Sequence, residues 1–419
     1  MRVLVSTIGS RGEAQPALAL ATQLRELGQE AVVCAPPDFR EWAESLGVEY
    51  LPVGPRVHGT AKQKAGASIT AEQRRAMIEG TVADQFAAVG AAAEGCDVIV
   101  GGGALAIAAR SVAEHRGIGY VYAAFAPVTL PSPHHAPPVY GMPGRTPADG
   151  TTGNGELWAQ DAQRWYLLWS APLNAQREAL GLTPVTDVSG HIYSGAPWLA
   201  ADPTLAPWPE PSELKVLQTG AWILPDHRPL PPELETFLDA GEPPVYFGFG
   251  SVRAPEGIAR AMIEAVRSLG RRAILARGWA ELEPIDDGPD VLAIGEVNQQ
   301  ALFPRVAVVA HHGGAGTTTA AAAAGAAQLV VPQMYDQFSF AGRVERLGIG
   351  TAHPADEPTA GSLTAALGRA LAPEVAETAR TVAGKIRQDG ALTAARHLIE
   401  TRRPGSPARR GEGGGSGRL

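Results

Sequence analysis

Short apolar runs and helix-forming stretches alternate along most of this chain, and that alternation restricts the fold more than any other feature. The first half reads RVLVS, a helix around LALATQLREL, AVVCA, a helix near DFREWAESL, VEYLPV, then DVIVGGG, ALAIAARSVAEHRG and GYVYAAF. Strands separated by helices cannot pair as hairpins, so the pattern predicts a parallel, doubly wound sheet. It resumes with PPVYFGFGS, GIARAMIEAVRSL, RRAILAR, VLAIGE, VAVVAH, TTTAAAAAGA and AQLVVPQ. The chain has 419 residues, beyond the roughly 250–300 that one core serves. Two α/β domains are therefore expected, facing each other as Rossmann-like units across a cleft.

The intervening ADPTLAPWPEPSELKVLQTGAWILPDHRPLPPELETFLDAGEPP is broken by prolines, which deny helix continuation and strand pairing and suit a linker. The expected division is an N-terminal domain at 1–205, a linker at 206–230 and a C-terminal domain at 231–400 whose last helix packs back on the first domain. The tail at 401–419 is rich in Gly, Arg and Pro with almost no apolar content and is expected to be disordered.

Composition narrows the function. No apolar stretch reaches the ~18 residues of a membrane span, so at most peripheral membrane contact is expected. The start, MRVLVSTIGS, lacks the apolar core and cleavage site of a secretory signal, which leaves a cytoplasmic address as the expectation. A net charge of −8 argues against a nucleic-acid partner. Cys34 and Cys96, each beside an apolar run and without C-x-x-C spacing, read as buried thiols.

In facing α/β sheets, ligands bind at the carboxyl ends of the strands. There the stretch VAVVAHHGGAGTTTAAAAAG joins a buried strand, a glycine turn and a helix whose free N–H groups make an anion cradle. His312 adds a donor aimed at a phosphate oxygen, stronger if protonated, or it merely caps the joint. Adjacent His311 and His312 cannot easily converge on one metal ion. After the next strand, Asp336 and Gln337 supply a carboxylate and an amide suited to sugar hydroxyls, unless Asp336 only caps a helix beginning at Phe338. Ser10, Arg11, Gly12 and Glu13 end the first strand on the opposite side; Glu13 is placed to act as a base, or is there because a helix dipole favours an acidic first turn. Ser251 and backbone amides come from a matching loop, YFGFGSVRAPEG. GGGALA lacks the downstream acidic residue of a nicotinamide site, and no D-x-D occurs, so phosphate handling without a metal or cofactor is expected.

Taken in order, GSRG…P, CAPPDF, AAEGCDVIV, PSPHHAPPVY, DVSGHIY…PWLAADPTLAP, LQTGAWILPDHRPLPPELETFLDAG, VYFGFGS, ILARGW, AIGEVNQQALF, HHGGAGTT and VPQMYDQ resemble the actinobacterial glycosyltransferases of glycopeptide-antibiotic biosynthesis, enzymes of the GT-B fold that act on vancomycin- and teicoplanin-class aglycones. The likeness runs over nearly the whole chain. It implies inverting, metal-independent transfer of a sugar from a nucleoside diphosphate donor to a hydroxyl of a heptapeptide aglycone, with the acceptor in the first domain and the donor in the second. It further implies that His312, Gly314, Gly316 and Thr317 hold the pyrophosphate with Ser10, Arg11 and Ser251, that base and ribose rest near Trp279 and Val297, and that Asp336 and Gln337 hold the sugar. The family's catalytic aspartate is matched here by Glu13, whose extra methylene adds roughly 1.5 Å of reach. His134 and His135 are acceptor-side candidates, with surface loop histidines as the alternative. The forms HHGGAGTT and PQMYDQ look closer to members using glucose or N-acetylglucosamine donors, uridine-linked over thymidine-linked, with a phenolic acceptor. A same-fold enzyme acting on a polyketide, macrolide or sterol and a nucleotide-sugar epimerase are the other readings.

Overall fold

The computed structural model describes residues 1–59, 70–138, 152–354 and 357–402. The first sheet contains β1 (Arg2–Thr7), β2 (Glu30–Ala35), β3 (Glu49–Pro52), β4 (Val98–Gly102), β5 (Gly119–Ala124), β6 (Trp198–Leu199) and β7 (Leu217–Gln218) in the order β3-β2-β1-β4-β5-β6-β7. The second contains β8 (Val245–Gly248), β9 (Ala273–Ala276), β10 (Val291–Ile294), β11 (Val308–His311), β12 (Ala327–Val330) and β13 (Gly350–Ala352) in the order β10-β9-β8-β11-β12-β13. Every paired register is parallel, from Val3 opposite Ala31 and Val98 to Val308 opposite Val245 and Ala327. The alternation of strand and helix dictates this, because each crossover must return to the same end of the sheet.

The apolar runs are continuous because the strands are covered on both faces. In β1, Val3 and Val5 point to one layer, with Ala17, Leu18 and Leu24 of the helix Arg11–Glu26. Leu4 points to the other, with Ile99, Val112 and Tyr122. The helix Gly390–Thr401, at the end of the described chain, adds Ala391, Ala394, Ala395 and Leu398 to the first of these layers. Their i, i+3, i+4, i+7 spacing makes one stripe, and it lies against the helix Arg11–Glu26.

The segment expected to be a bare linker is partly a strand. β7 pairs with β6 through Trp198 opposite Leu217, and Trp222 and Leu224 are buried with the first sheet, whereas Leu230 is buried with the second. The prolines flank a proline-free KVLQ, whose N–H groups remain free to join a ladder; proline punctuates this segment but does not exclude pairing. Cys34 and Cys96 are buried free thiols. The tail from residue 403 on, residues 60–69 of the loop after β3 and residues 139–151 after the two loop histidines lie outside the described residues. Among the described residues no helix is long and apolar enough to cross a membrane.

Candidate functional site

In each sheet the strand order reverses at one place, between β1 and β4 in the first and between β8 and β11 in the second. Crevices at such switch points receive ligands, because neighbouring crossovers run to opposite faces and leave the strand ends uncovered. The loops there carry most of the residues singled out from the sequence.

On the first lobe, Ser10 is the N-cap of the helix Arg11–Glu26; its hydroxyl accepts from the Gly12 N–H and donates to Glu13 Oε2 at 3.4 Å. The Glu13 side chain lies over two glycines. A Cβ on Gly9 would meet its Cδ at 2.6 Å, and one on Gly103, in the loop after β4, would meet its Cγ at 3.4 Å. Of the three glycines of GGGALA, Gly103 makes room for this carboxylate, while Gly101 and Gly102 make room for the Tyr120 and Phe125 rings. Desolvation in this half-buried position, with a contribution from the charge of Asp336, pushes the Glu13 carboxyl up to about 7.

Asp336 comes from the other lobe. It precedes the helix Gln337–Arg346, one residue earlier than expected, and makes no side-chain capping bond, so the capping explanation fails. Two features aim it. Tyr335 holds a left-handed backbone at φ 59°, a conformation non-glycine residues rarely adopt. One turn beyond, Phe340 is buried in the first lobe's core, which draws the start of this helix toward β1 and β4. Burial raises the Asp336 carboxyl to about 7 as well. Gln337 Oε1 accepts from the Gln333 and Met334 N–H groups at 2.8 and 3.2 Å and clamps the loop that presents Asp336.

The two adjacent histidines have separate tasks. His311 is fully buried; its Nε2 donates to Gln328 Oε1 at 2.9 Å, and its Nδ1 accepts from the Gly313 N–H at 3.0 Å, which fixes the tautomer. His312 is buried with Nδ1 left without a protein partner. Its ring is packed between two glycines: a Cβ on Gly250 would touch Cε1 at 3.4 Å, and one on Gly314 would collide with Nε2. Burial and the neighbouring His311 lower the His312 pKa to about 3, which favours the neutral imidazole in this structure. The following helix spans Ala315–Ala323 and begins two residues before Thr317, with Gly314 as extended N-cap. Thr318 is the first residue to donate back, to the Gly314 carbonyl, so the N–H groups of Ala315, Gly316 and Thr317 are left at the helix end. Gly316 has open space where a side chain would stand.

A third part of the cleft lies beyond β9 and β10. The Trp279 backbone N–H donates to the Gly250 carbonyl at 2.9 Å, which ties the main chain at Trp279 to the glycine beside the His312 ring. The Trp279 ring stacks on His58 and Phe39 of the first lobe, at centroid distances of 4.9 and 6.2 Å. Arg11 bridges the lobes here as well. Its guanidinium pairs with Glu296 at 3.0 Å, donates to Gln15 and lies over the Trp42 ring. Arg11 is thus engaged beside Trp279 instead of standing free at the helix end. A cavity of about 410 Å³ opens among these groups. Ser251 is half-buried beside Gly250, and Val297 packs in the second lobe's core.

The two loop histidines are held elsewhere. His134 is exposed and bonded to the Pro211 carbonyl at 2.8 Å. His135 is no surface histidine: it sits edge-on to Trp158 and Trp208, its Nε2 is buried without a partner, and burial lowers its pKa. Sequence reasoning missed Glu296, His58, Phe39 and Tyr335. For Glu296 the signal was available, since it directly precedes Val297 at the end of a predicted strand.

Similarity to known proteins agrees with this geometry. The glycosyltransferase family 28 N-terminal domain matches residues 3–132, and the erythromycin biosynthesis protein CIII-like C-terminal domain matches residues 263–396. The chain is 51% identical to Glycosyltransferase GtfE of Amycolatopsis orientalis, covering 97% of this chain and 100% of that one. It is 50% identical to the Vancomycin aglycone glucosyltransferase of the same organism, covering 96% and 97%. Among solved structures, the calicheamicin glycosyltransferase CalG4 superposes with a TM-score of 0.67 at 19% identity, over 96% of this chain and 99% of that one. The glycosyltransferase VinC in complex with dTDP gives 0.62 at 20% identity, over 96% and 99%. These structures share the two-lobed GT-B fold.

Proposed function

Because the chain belongs to the glycosyltransferases of glycopeptide-antibiotic biosynthesis, we propose that it moves a hexose of the glucose or N-acetylglucosamine type from a nucleoside diphosphate sugar, uridine favoured over thymidine, to a phenolic hydroxyl of a heptapeptide aglycone, with inversion. The acceptor class is supported by the relatives' names and extents. The observation that carries the reading is that Glu13 lies within reach of the Asp336 charge, across a cleft whose second wall ends in His312 and a free helix terminus.

The acceptor oxygen attacks the anomeric carbon from the side of Glu13. The new C–O bond forms as the bond to the diphosphate oxygen breaks, and that electron pair leaves on the phosphate. The phenolic proton passes to Glu13. A phenol near pKa 10 is a poor donor to a carboxylate near 7 at first, and transfer becomes favourable as the oxygen gains bond order. On the other side, the N–H groups at the start of Ala315–Ala323 and the neutral His312 ring meet the charge growing on the leaving phosphate. One preorganised donor of this kind supplies about 3 kcal/mol of transition-state stabilisation. Asp336 accepts hydrogen bonds from sugar hydroxyls and, with its own raised proton affinity, is the second candidate base.

The test is a panel of uridine- and thymidine-linked glucose, N-acetylglucosamine and deoxyaminosugar donors against glycopeptide aglycones and a macrolide, read by mass spectrometry. A hexose adduct on the glycopeptide with inverted configuration is expected. Adducts on the macrolide alone, or donor conversion without acceptor, count against the reading.

A further inference from the structure

The cavity beyond β9 and β10 is built from both lobes. Trp279 and Glu296 come from the second; Arg11, Phe39, Trp42 and His58 come from the first. The first-lobe half is not a chance approach of a loose loop. Asp38, in the short turn after β2, accepts the Val57 N–H at 2.8 Å with Oδ2 and the His58 N–H at 3.2 Å with Oδ1. This carboxylate ties the loop after β3 to the turn after β2 and sets the His58 ring on Trp279 with an interplanar angle of 30°. Phe39, the next residue after Asp38, is buried in the first lobe's core and stacks on the same indole at 23°.

We propose that His58, positioned by Asp38, is a first-lobe determinant of donor affinity, completing with Trp279 the compartment that receives the nucleoside base. This rests on the reading of the cleft as a nucleoside diphosphate sugar site. Three observations carry it. The space is adequate: about 410 Å³ remains open with the His58–Trp279 stack in place, within the ~300–1,000 Å³ of small-molecule sites. The chemistry fits a nucleoside, because the lining combines the aromatic side chains Phe39, Trp42, His58 and Trp279, on which a base can pack, with the Glu296 carboxylate, which can accept from sugar hydroxyls. Finally, the compartment adjoins the phosphate end, since the Gly250 carbonyl binds the Trp279 backbone N–H and a Cβ on the same glycine would meet the His312 ring. A base at Trp279 and a diphosphate at His312 would lie along one continuous wall.

The consequence is that donor affinity depends on the first lobe as well as the second. His58 acts by stacking, so an aromatic replacement suffices, whereas Asp38, which also lines the cavity, acts through the loop it holds. The experiment measures uridine and thymidine diphosphate affinity by titration calorimetry, together with KM for the aglycone, in His58→Ala, His58→Phe, Asp38→Ala and Trp279→Ala. Expected are a loss of about three- to tenfold in nucleotide affinity for His58→Ala and Asp38→Ala, recovery in His58→Phe, and an unchanged aglycone KM. Unchanged or tighter nucleotide binding in His58→Ala overturns the proposal, as does an effect confined to the aglycone KM, which would assign this loop to the acceptor. If Trp279→Ala weakens binding while His58→Ala does not, only this inference fails. If neither variant changes nucleotide affinity, the nucleoside lies elsewhere and the underlying reading fails with it.

Discussion

Glu13 and Asp336 belong to different lobes, 323 positions apart in the chain by subtraction of their numbers, yet the charge of Asp336 raises the proton affinity of Glu13. Each carboxyl is brought to about 7, so the pair holds a proton where an ordinary carboxylate would have lost it. A carboxyl near neutrality is suited to accept a proton during turnover and release it afterwards.

Glu13→Gln keeps the shape of the side chain and removes its basicity. Turnover is expected to fall by about 10²–10⁴ with nucleoside diphosphate affinity unchanged. Steady-state kinetics and calorimetry on the same preparation check this, and turnover at the level of the unaltered enzyme would remove Glu13 from the mechanism.

The rate should rise with pH through an acidic limb near 7, because the working base is the ionised carboxylate. In Asp336→Asn the neighbouring charge is gone, and the limb of the residual activity is expected to move to lower pH. A profile of kcat/KM against pH decides it; an unmoved limb would mean that the two carboxyls titrate independently.

Stability should show the opposite side of the same shift. The Glu13 pKa is raised in the folded state from its ordinary 4.5 to about 7, so between those values the folded chain holds a proton that the unfolded chain has released. Its contribution is fully present below 4.5 and is lost as pH rises through 7. The double variant Glu13→Gln, Asp336→Asn is therefore expected to be more stable than the unaltered protein at pH 8, by about 1–3 kcal/mol, with little difference near pH 4. Denaturant titrations at the two pH values measure it, and equal gains at both would point to a cause other than ionisation.

His312 is neutral, with a pKa held near 3 by burial, so its role does not depend on protonation above about pH 5. His312→Ala should weaken nucleoside diphosphate binding and slow transfer by about 10²-fold, the loss of one preorganised donor. Gly314→Ala should do similar damage without touching the imidazole itself, because the added methyl occupies the place of Nε2. Normal kinetics in Gly314→Ala would show that the ring can move without loss.

The end of the described chain is a structural part of the first lobe. Leu398→Ala deletes a fully buried side chain from the layer over the helix Arg11–Glu26 and is expected to cost about 2–5 kcal/mol. Thermal unfolding checks this, and a change below 1 kcal/mol would mean that the helix packs more loosely than its burial indicates.

The two sheets, their parallel register and the helix terminus beside His312 were legible because each is encoded locally: a continuous apolar run between helical stretches, or glycines directly after a strand. What escaped were relationships set by tertiary packing. Nothing near Glu13 announces Asp336; their approach follows from Phe340 entering the first lobe's core. Nothing near Trp279 announces His58, which is placed by a carboxylate twenty positions earlier. The prolines around KVLQ masked a strand, since proline marks what a residue's own N–H cannot do and says little about its neighbours. His134 and His135 are adjacent and alike in sequence, and only packing against Trp158 and Trp208 separates an exposed ring from an enclosed one.

The stripe Ala391, Ala394, Ala395 and Leu398 has a bearing on biogenesis. A ribosome releases β1 and the helix Arg11–Glu26 long before it makes their covering partner, so the first lobe waits, with that helix face bare to solvent, until the second has been synthesised in full. Stop codons that spare every residue of the cleft but fall before Gly390 should therefore yield chains that are captured by chaperones or degraded.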